Sequence, residues 1–497
     1  MLMINKNNHK IIFGLKVRQL RIEKNLSYSD LAESTGISSS YLNEIEKGKK
    51  FPKEDKIQLL AIALQTTAEE LESANLPKSL APVEDLLQSN FLNELPLHLF
   101  GIDLAKVVEI IANAPLRVGA FVSTLLELSR NYALREENFY FGALRSYLEL
   151  HNNYFDEIEE AVKAFVKQNK VPTGHSLPPH YLRHLLERKF GYEVIEDGLK
   201  KYPDLQNIRS VYSPKSDKLL VNGNLNDQQR AFLFGKEIGF NALQLKERAN
   251  TSTLLRVKTF EEALNHFKAG YFSAALLMNK DNFTRDIEAF LSKPLWDGDY
   301  LLQLLHKYQV SPETLFQRLT NILPHTFGLD NLFFLRIIYQ TETGKFDMNR
   351  ELHLNRRHHP HSNSLEEHYC RRWISVTLLQ DLERIEKQSQ SQDEIGLAGA
   401  QRSKYFGTKD EYLCISIAKR AGGKTISVTI GILIEQDTKK HIHFIDDPDV
   451  VSREVNTTCE RCGVEHCAER AIAPIMVERK LQRQRIQDDL KKIMAEE

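Results

Sequence analysis

Residues 13–64 read FGLKVRQLRIEKNLSYSDLAESTGISSSYLNEIEKGKKFPKEDKIQLLAIAL, and the local signals in this stretch agree with one another. Ser27 followed three positions later by Asp30 is a capping-box start for a second helix. Gly36 supplies a tight turn, and Ser38 caps a third helix that ends near Gly48. Val17, Leu20, Leu31, Ala32, Ile37, Leu42, Ile45, Leu60 and Leu64 recur at helical spacing, enough to close one small core among five short helices across residues 11–72. Ala32 is small where two helices crossing at a steep angle need a small side chain.

That arrangement follows helix-turn-helix logic. With Leu42 and Ile45 turned inward, Ser39, Ser40, Asn43 and Glu44 project from the third helix, and Tyr41 lies on its shoulder. Short polar side chains of this kind reach base edges in a major groove. Lys47, Lys49, Lys50 and Lys53 cluster behind the helix, while Ser27, Ser29 and Ser38 bring hydroxyls and free backbone N–H groups to helix starts, where both can meet phosphates. The segment resembles the Xre/Cro-type helix-turn-helix family over nearly all of its length, including the turn GISSSYLNEIEKGKK. The expected partner is double-stranded DNA, bound by a homodimer at a two-fold operator in a salt-sensitive way. The Arg or Lys that commonly reads guanine is absent from the recognition positions, so no base preference follows.

The rest of the chain bounds this reading. Its 497 residues are 42% hydrophobic and 27% charged, which calls for several compact globular domains. Lys+Arg at 66 against Asp+Glu at 67 leaves a net charge of −1, so polyanion binding has to be local. No signal-peptide-like run opens the sequence and no stretch of about 18 uncharged apolar residues occurs in it, so the expectation is a cytoplasmic, nucleoid-associated protein with no membrane partner. Five cysteines are too few and too uneven for a disulfide scaffold.

The pattern divides into a helix-turn-helix domain at 10–75, a helical segment at 83–168, a mixed domain at 170–325, a strand-rich domain at 326–475 and a solvated helix at 476–497. The stretch NLPKSLAP (75–82) reads as a linker, and the helical segment serves packing or dimerisation. NLFFLRIIYQ (331–340), EYLCISIAK (411–419) and KTISVTIGILI (424–434) read as buried strands, the last two joined by a hairpin at Arg420–Gly423. The fold class is therefore multidomain, mainly α with α+β.

LNDQQRAFLFGKEIGFNAL (225–243) is an amphipathic helix carrying a buried acid. It resembles the active helix of the ImmA/IrrE-type metallopeptidase family, in which HExxH sets two imidazoles one turn apart for zinc and a glutamate to activate water. The aligned positions here are Lys236, Glu237 and Phe240, and only the glutamate matches. An ammonium is a poor zinc ligand and a phenyl ring has no lone pair, so the expectation is a degenerate zincin-like domain without proteolysis, its Glu237 paired with Lys236 or a neighbour. His266 lies nearby in an ordinary amphipathic pattern.

CERCGVEHC (459–467) sets Cys459, Cys462 and Cys467 within one short loop around Gly463. Two thiols of a CxxC face one metal, and a third approaches the same point. Cys370 is the candidate fourth ligand, whereas Cys414 alternates within a strand and reads as core. Structural zinc and an iron–sulfur cluster of the [4Fe-4S] kind both fit this spacing. His358, His359, His361 and His368 read as a solvated loop, with one of them or His466 as a substitute ligand.

Taken together, GYFSAALLMNKDNF (270–283), FFLRIIYQTETGKF (333–346), CRRW (370–373), EYLCISIA (411–418) and TTCERCGVEHCAERA (457–471) resemble the short-chain fatty acyl transcriptional regulator family over nearly the whole chain. The resemblance implies a regulator of short-chain acyl and central carbon metabolism that senses acyl-coenzyme A, with an iron–sulfur cluster on the cysteines. The chain departs from that family in its histidine-rich insertion and its tail helix. A thioester ligand with several phosphates calls for Arg beside aromatic walls, so Arg336, Arg371 and Arg372 are candidate contacts. Two other readings stay open: an ImmA/IrrE-type metallopeptidase of a stress or phage-repressor system, and a DNA-binding scaffold with structural zinc.

Overall fold

The structure is a computed structural model; it describes residues 6–73, 136–173, 176–252, 257–354, 367–388, 396–421 and 424–496. The linker at 75–82, most of the helical segment read at 83–168, and His358, His359 and His361 lie outside the described residues. The chain divides into two compact units, Met1–Ala143 with Lys258–Glu261, and Leu144–Val257 with Glu262–Glu497.

In the first unit the five expected short helices are α1 (Lys6–Glu23), α2 (Tyr28–Thr35), α3 (Ser39–Glu46), α4 (Glu54–Ala63) and α5 (Ala68–Glu72). The caps form as read: Ser27 and Asp30 exchange side-chain and backbone hydrogen bonds, Gly36 adopts φ 68°, and the Ser38 hydroxyl accepts from Tyr41 N. Val17, Leu31, Ile37, Leu42, Ile45, Leu60 and Leu64 form the core, joined by Phe13, Ile57 and Leu71, with Leu20 and Ala32 packed at its edge. Gly14 lets α1 lie directly on the end of α3: a Cβ there would stand 2.3 Å from the Ile45 carbonyl oxygen.

The second unit begins with α6 (Glu136–Leu150), whose start belongs to the first, then α7 (Asp156–Asn169) and α8 (Pro179–Phe190). Strands β1 (Glu193–Ile195), β2 (Ser210–Ser213) and β3 (Lys218–Val221) make a small sheet of order β1-β3-β2. Helices α9 (Asp227–Ala242), α10 (Phe260–Leu277), α11 (Lys280–Leu291), α12 (Gly298–Tyr308) and α13 (Pro312–Phe327) follow. Their core holds a buried ion pair, Arg318 with Glu159, to which the Tyr271 hydroxyl donates at 2.7 Å. Burial pushes the Glu159 carboxyl up, but Arg318 and that hydroxyl outweigh it and hold it below the ordinary range.

The remainder is a six-stranded sheet of order β5-β4-β8-β7-β6-β9. Its strands are β4 (Leu332–Gln340), β5 (Lys345–His353), β6 (Gly396–Tyr405), β7 (Glu411–Ala421), β8 (Lys424–Leu433) and β9 (Ser452–Val455). The expected hairpin is there, with Ala421 paired to Lys424 across β7 and β8. Strands β5, β6 and β9 are additions; in β5 (KFDMNRELH) the charged residues interrupt the alternation that marks a half-buried strand. Helix α14 (Ile374–Gln388) covers one face, packing Val376, Leu379 and Leu382 on Phe333, Leu335 and Ile337. A short helix α15 (Gln436–His441) precedes β9, and α16 (Ile475–Glu496) closes the chain.

Candidate functional site

The outer side of α3 is the first candidate. Ser39 and Ser40 are exposed and Asn43 and Glu44 are partly exposed, while Leu42 and Ile45 are fully buried beneath them. Ser29, Lys49, Lys50 and Lys53 are exposed, and Lys47 caps the helix through its N–H to the Asn43 carbonyl. The N–H groups of Lys49 and Lys50 both donate to the Glu44 carbonyl, at 3.0 and 3.3 Å, which folds the basic loop back under the helix end. Tyr41 holds the Lys56 ammonium 4.4 Å from its ring centroid, a contact without a sequence signal.

Behind this face lies a buried triad. Glu46 receives Arg21 Nε at 2.6 Å and Nη2 at 3.0 Å, and the Tyr28 hydroxyl donates to it at 2.7 Å. The hydrogen bond to Glu46 raises the Arg21 guanidinium, and burial followed by the same carboxylate raises the Tyr28 phenol. One acid thereby ties α1, the start of α2 and the end of α3 together. Polar side chains left outward on a rigid helix beside a lysine-rich loop can read groove edges and bind phosphates.

The motif helix α9 presents a different picture. Glu237 is buried and engaged by Arg248 Nη2, at 2.9 Å to Oε1 and 2.7 Å to Oε2, and by the Tyr192 hydroxyl at 3.2 Å. Its cationic neighbour is thus Arg248, eleven residues on, rather than Lys236. Lys236 donates instead to the ring of His266, 3.1 Å from Nδ1, and to the Ser252 carbonyl at 3.4 Å. Burial pushes the Lys236 amine well below its ordinary range, and burial together with Lys236 does the same to the His266 imidazole. Phe240 faces the Arg248 guanidinium at 3.9 Å.

The four cysteines expected at one metal line one pocket without converging on one point. Residues 368–370 run antiparallel to 457–459: Cys459 N donates to the His368 carbonyl at 2.8 Å, and Cys370 N to the Thr457 carbonyl at 3.2 Å. Cys370, Cys459, Cys462 and Cys467 then line one narrow pocket with Arg371 and Arg372. Arg470 staples the loop, donating to the carbonyls of Cys459 at 3.1 Å, Cys462 at 3.2 Å and Val464. Ala471 N donates to Cys459 Sγ at 3.4 Å. Burial pushes the Cys370 thiol up to about 11, and that of Cys414, in the sheet core, up to about 12. The His368 ring lies 2.8 Å from a Glu460 oxygen. Among the described residues no three His, Cys, Asp or Glu side chains are placed to hold a metal ion, so the thiols surround a pocket rather than a point.

The three arginines read together do not sit together. Strand alternation turns Arg336 away from the face that carries Phe333, Leu335 and Ile337. There its Nε lies 3.3 Å from Glu313 of α13 and its Nη1 donates to Asn349 at 2.9 Å. Arg371 is on the other face, over the Phe346 ring at 4.4 Å, and Arg372 reaches Glu469 at 3.9 Å.

Two parts of the chain match known protein families. A helix-turn-helix family model matches residues 17–71, and an IrrE N-terminal-like domain model matches residues 190–320. Control protein C.BamHI of Bacillus amyloliquefaciens is 35% identical over 66 residues, 13% of this chain and 82% of that protein. A Mycobacterium tuberculosis transcriptional regulator of known structure aligns over 67% of this chain and 93% of its own, at 18% identity and a TM-score of 0.45. No helix among the described residues is long and apolar enough to cross a membrane. The chain belongs to the Xre-type helix-turn-helix family of DNA-binding transcriptional regulators, and it carries an IrrE N-terminal-like domain behind that module.

Proposed function

We propose that the chain is a one-component regulator of short-chain acyl metabolism. A homodimer grips a two-fold operator with α3 and its lysine loop, and the second unit responds to an acyl-coenzyme A and carries an iron–sulfur cluster or zinc. The observation that carries the receptor reading is the state of α9: Glu237 is engaged by Arg248 and Tyr192, and Lys236 by His266, so the helix offers neither a zinc-binding pair nor a free base. A peptidase frame without those groups serves binding rather than hydrolysis.

Four soft thiol donors line one pocket, with an N–H directed at Cys459 Sγ; by the chemistry of the donor set Cys370, Cys459, Cys462 and Cys467 would hold a thiolate-bound metal, for which the thiols have to move from the pocket walls toward one point. Bound there, a cluster would supply sensitivity to oxidation or iron supply, and zinc would supply rigidity. Arg371 and Arg372, beside Phe346 and on the pocket wall, are the cations available to an anionic thioester on that face. Arg336, paired with Glu313, serves the sheet–helix contact instead.

Thermal melting of anaerobically purified protein tests the reading. Acetyl- or propionyl-coenzyme A should raise the transition and shift duplex affinity, while free acetate and ATP do neither. Equal responses to all of them would overturn the effector assignment, and absorption above 300 nm that vanishes in Cys459→Ser distinguishes a cluster from zinc. Metal-dependent cleavage of any polypeptide would overturn the non-enzymatic reading.

A further inference from the structure

Glu313 stands in the first turn of α13, and three arginines bear on it. Arg350 Nη1 lies 2.6 Å from one of its oxygens and Arg336 Nε 3.3 Å from the other. Arg209, the residue before β2, adds a third positive charge: with Arg350 and Arg336 it holds the Glu313 carboxyl below its ordinary range, against burial. Arg336 and Arg350 stand directly opposite one another across β4 and β5, a like-charge cross-strand pair that is destabilising by itself.

One carboxylate does not satisfy three guanidiniums. Among the described residues the half-buried Arg209 side chain makes no hydrogen bond or ion pair, and Arg336 Nε is buried without a hydrogen bond in spite of its nearness to Glu313. Glu237, the other buried acid here, is taken up by Arg248. The surplus charge is felt in the interior. Ser252 accepts from Arg209 N at its hydroxyl, at 3.1 Å, and from Lys236 at its carbonyl. Burial first, and then Arg350, Arg248 and Arg209, push the Lys236 amine well below its ordinary range.

Three guanidiniums against one carboxylate leave two positive charges in excess, on forked donors at the start of a helix, where the helix end itself favours an anion. Charges withdrawn from water are stable when paired, and the guanidinium fork matches an oxyanion bidentately. The cluster opens to solvent at Arg350, whose side chain is 54% exposed.

We propose that Arg209 and Arg350 bind one phosphate group, as a dianion, beside Glu313 at the start of α13, while Arg336 stays on the carboxylate. Two surplus charges match a single phosphate dianion and fall short of a nucleoside triphosphate, and the donors suit free phosphate or a small phosphate monoester. The site is on the sheet face away from Arg371, and it needs neither the metal nor the thioester reading.

Isothermal titration calorimetry of the full chain with inorganic phosphate, in chloride buffer at constant ionic strength, tests the site. Phosphate should bind and raise the melting temperature. Glycerol 3-phosphate binding as tightly would assign the site to monoesters, and much weaker binding would assign it to free phosphate. Arg209→Gln and Arg350→Gln should each weaken phosphate binding by about tenfold or more. Arg350→Lys, which keeps the charge and loses the fork, should recover part of that loss. In phosphate-free buffer Arg209→Gln should melt no lower than the wild type, because it relieves a repulsion, whereas an arginine needed only for the fold would lower the transition there. No binding by the wild type at millimolar phosphate, unchanged affinity in both glutamine variants, or a lowered transition of Arg209→Gln without phosphate would each overturn the proposal.

Discussion

The helix-turn-helix module and the IrrE-like domain each bury a glutamate between an arginine and a tyrosine, and they differ in what this leaves outside. In the module, Arg21 and Tyr28 engage Glu46 at the inner end of α3, so the opposite side of the same helix stays polar and open. In the IrrE-like domain, Arg248 and Tyr192 engage Glu237, the acid of the motif itself, so the chemistry that the helix resembles is the part that is occupied. Burying an ion pair behind a site makes the site rigid. Burying one within the motif places the arginine and the tyrosine on the acid itself.

The comparison breaks most visibly if either arginine is removed. Loss of one partner from a buried pair leaves an uncompensated charge and costs about 3–5 kcal/mol. Arg21→Met should lower the denaturation midpoint of the module and abolish duplex binding with it. Arg248→Met should destabilise the IrrE-like domain by a similar amount while duplex affinity stays within a few-fold. If Arg248→Met leaves the midpoint unchanged, Glu237 is not held as described and a chemical role for it returns.

Removing groups from the open side of α3 sharpens the other half. Ser40→Ala and Asn43→Ala should reduce the preference for a cognate site, by about 1–3 kcal/mol wherever the side chain removed had hydrogen-bonded well to a base edge. Lys49→Ala and Lys50→Ala should weaken all duplexes alike and lower the salt slope by about one each, read from fluorescence anisotropy at several salt concentrations. If all four act alike, the side chains of α3 position the module and do not read sequence.

The two units also differ in their response to acid. Burial pushes Glu313 up, but Arg350, Arg336 and Arg209 outweigh it, and its carboxyl, like that of Glu159, is held below the usual 4.5. A carboxyl depressed in the folded state contributes stability that is present above its unfolded pKa and is lost as pH falls through the folded one. The second unit should therefore lose about 1.4 kcal/mol per unit of depression below roughly pH 4.5. In the module the depressed carboxyl is Asp30, exposed at the cap of α2, so near-ultraviolet circular dichroism of the two units should diverge on acidification.

What the sequence discloses and what it hides follow a physical divide. Caps, turns and the core of the module are local, set by residues three or four positions apart, and Ser27, Gly36 and Ser38 declare them. The cysteine pocket is half local: the CxxC loop is legible, and Cys370 joins it only through the antiparallel run of 368–370 on 457–459. The triads are wholly non-local. Arg21 meets Glu46 across 25 positions and Arg318 meets Glu159 across 159, and no spacing rule connects them. Arg336 misleads for the same reason, because its neighbours in sequence are Phe333 and Phe334 while its partner in space is Glu313 on α13. Gly14 gives no signal either, since a glycine inside a helix indicates close approach only once the carbonyl of Ile45 is known to lie against it.

The smallest effect separates Ser27 and Ser29, which the sequence groups together as phosphate contacts. The Ser27 hydroxyl accepts from Asp30 N at 3.2 Å and Ser27 N donates to Asp30 at 2.7 Å, whereas Ser29 is simply exposed in the first turn. Ser27→Ala should cost the module about 1 kcal/mol, the usual penalty for removing a capping hydroxyl, and lower duplex affinity through that destabilisation. Ser29→Ala should leave the melting temperature unchanged and weaken binding only by removing a hydrogen bond to phosphate, so the ratio of affinity change to stability change should be larger for Ser29. Equal ratios would mean that the start of α2 contributes to DNA binding through its fold alone, and that the phosphate-binding groups of the module reside in the lysine loop.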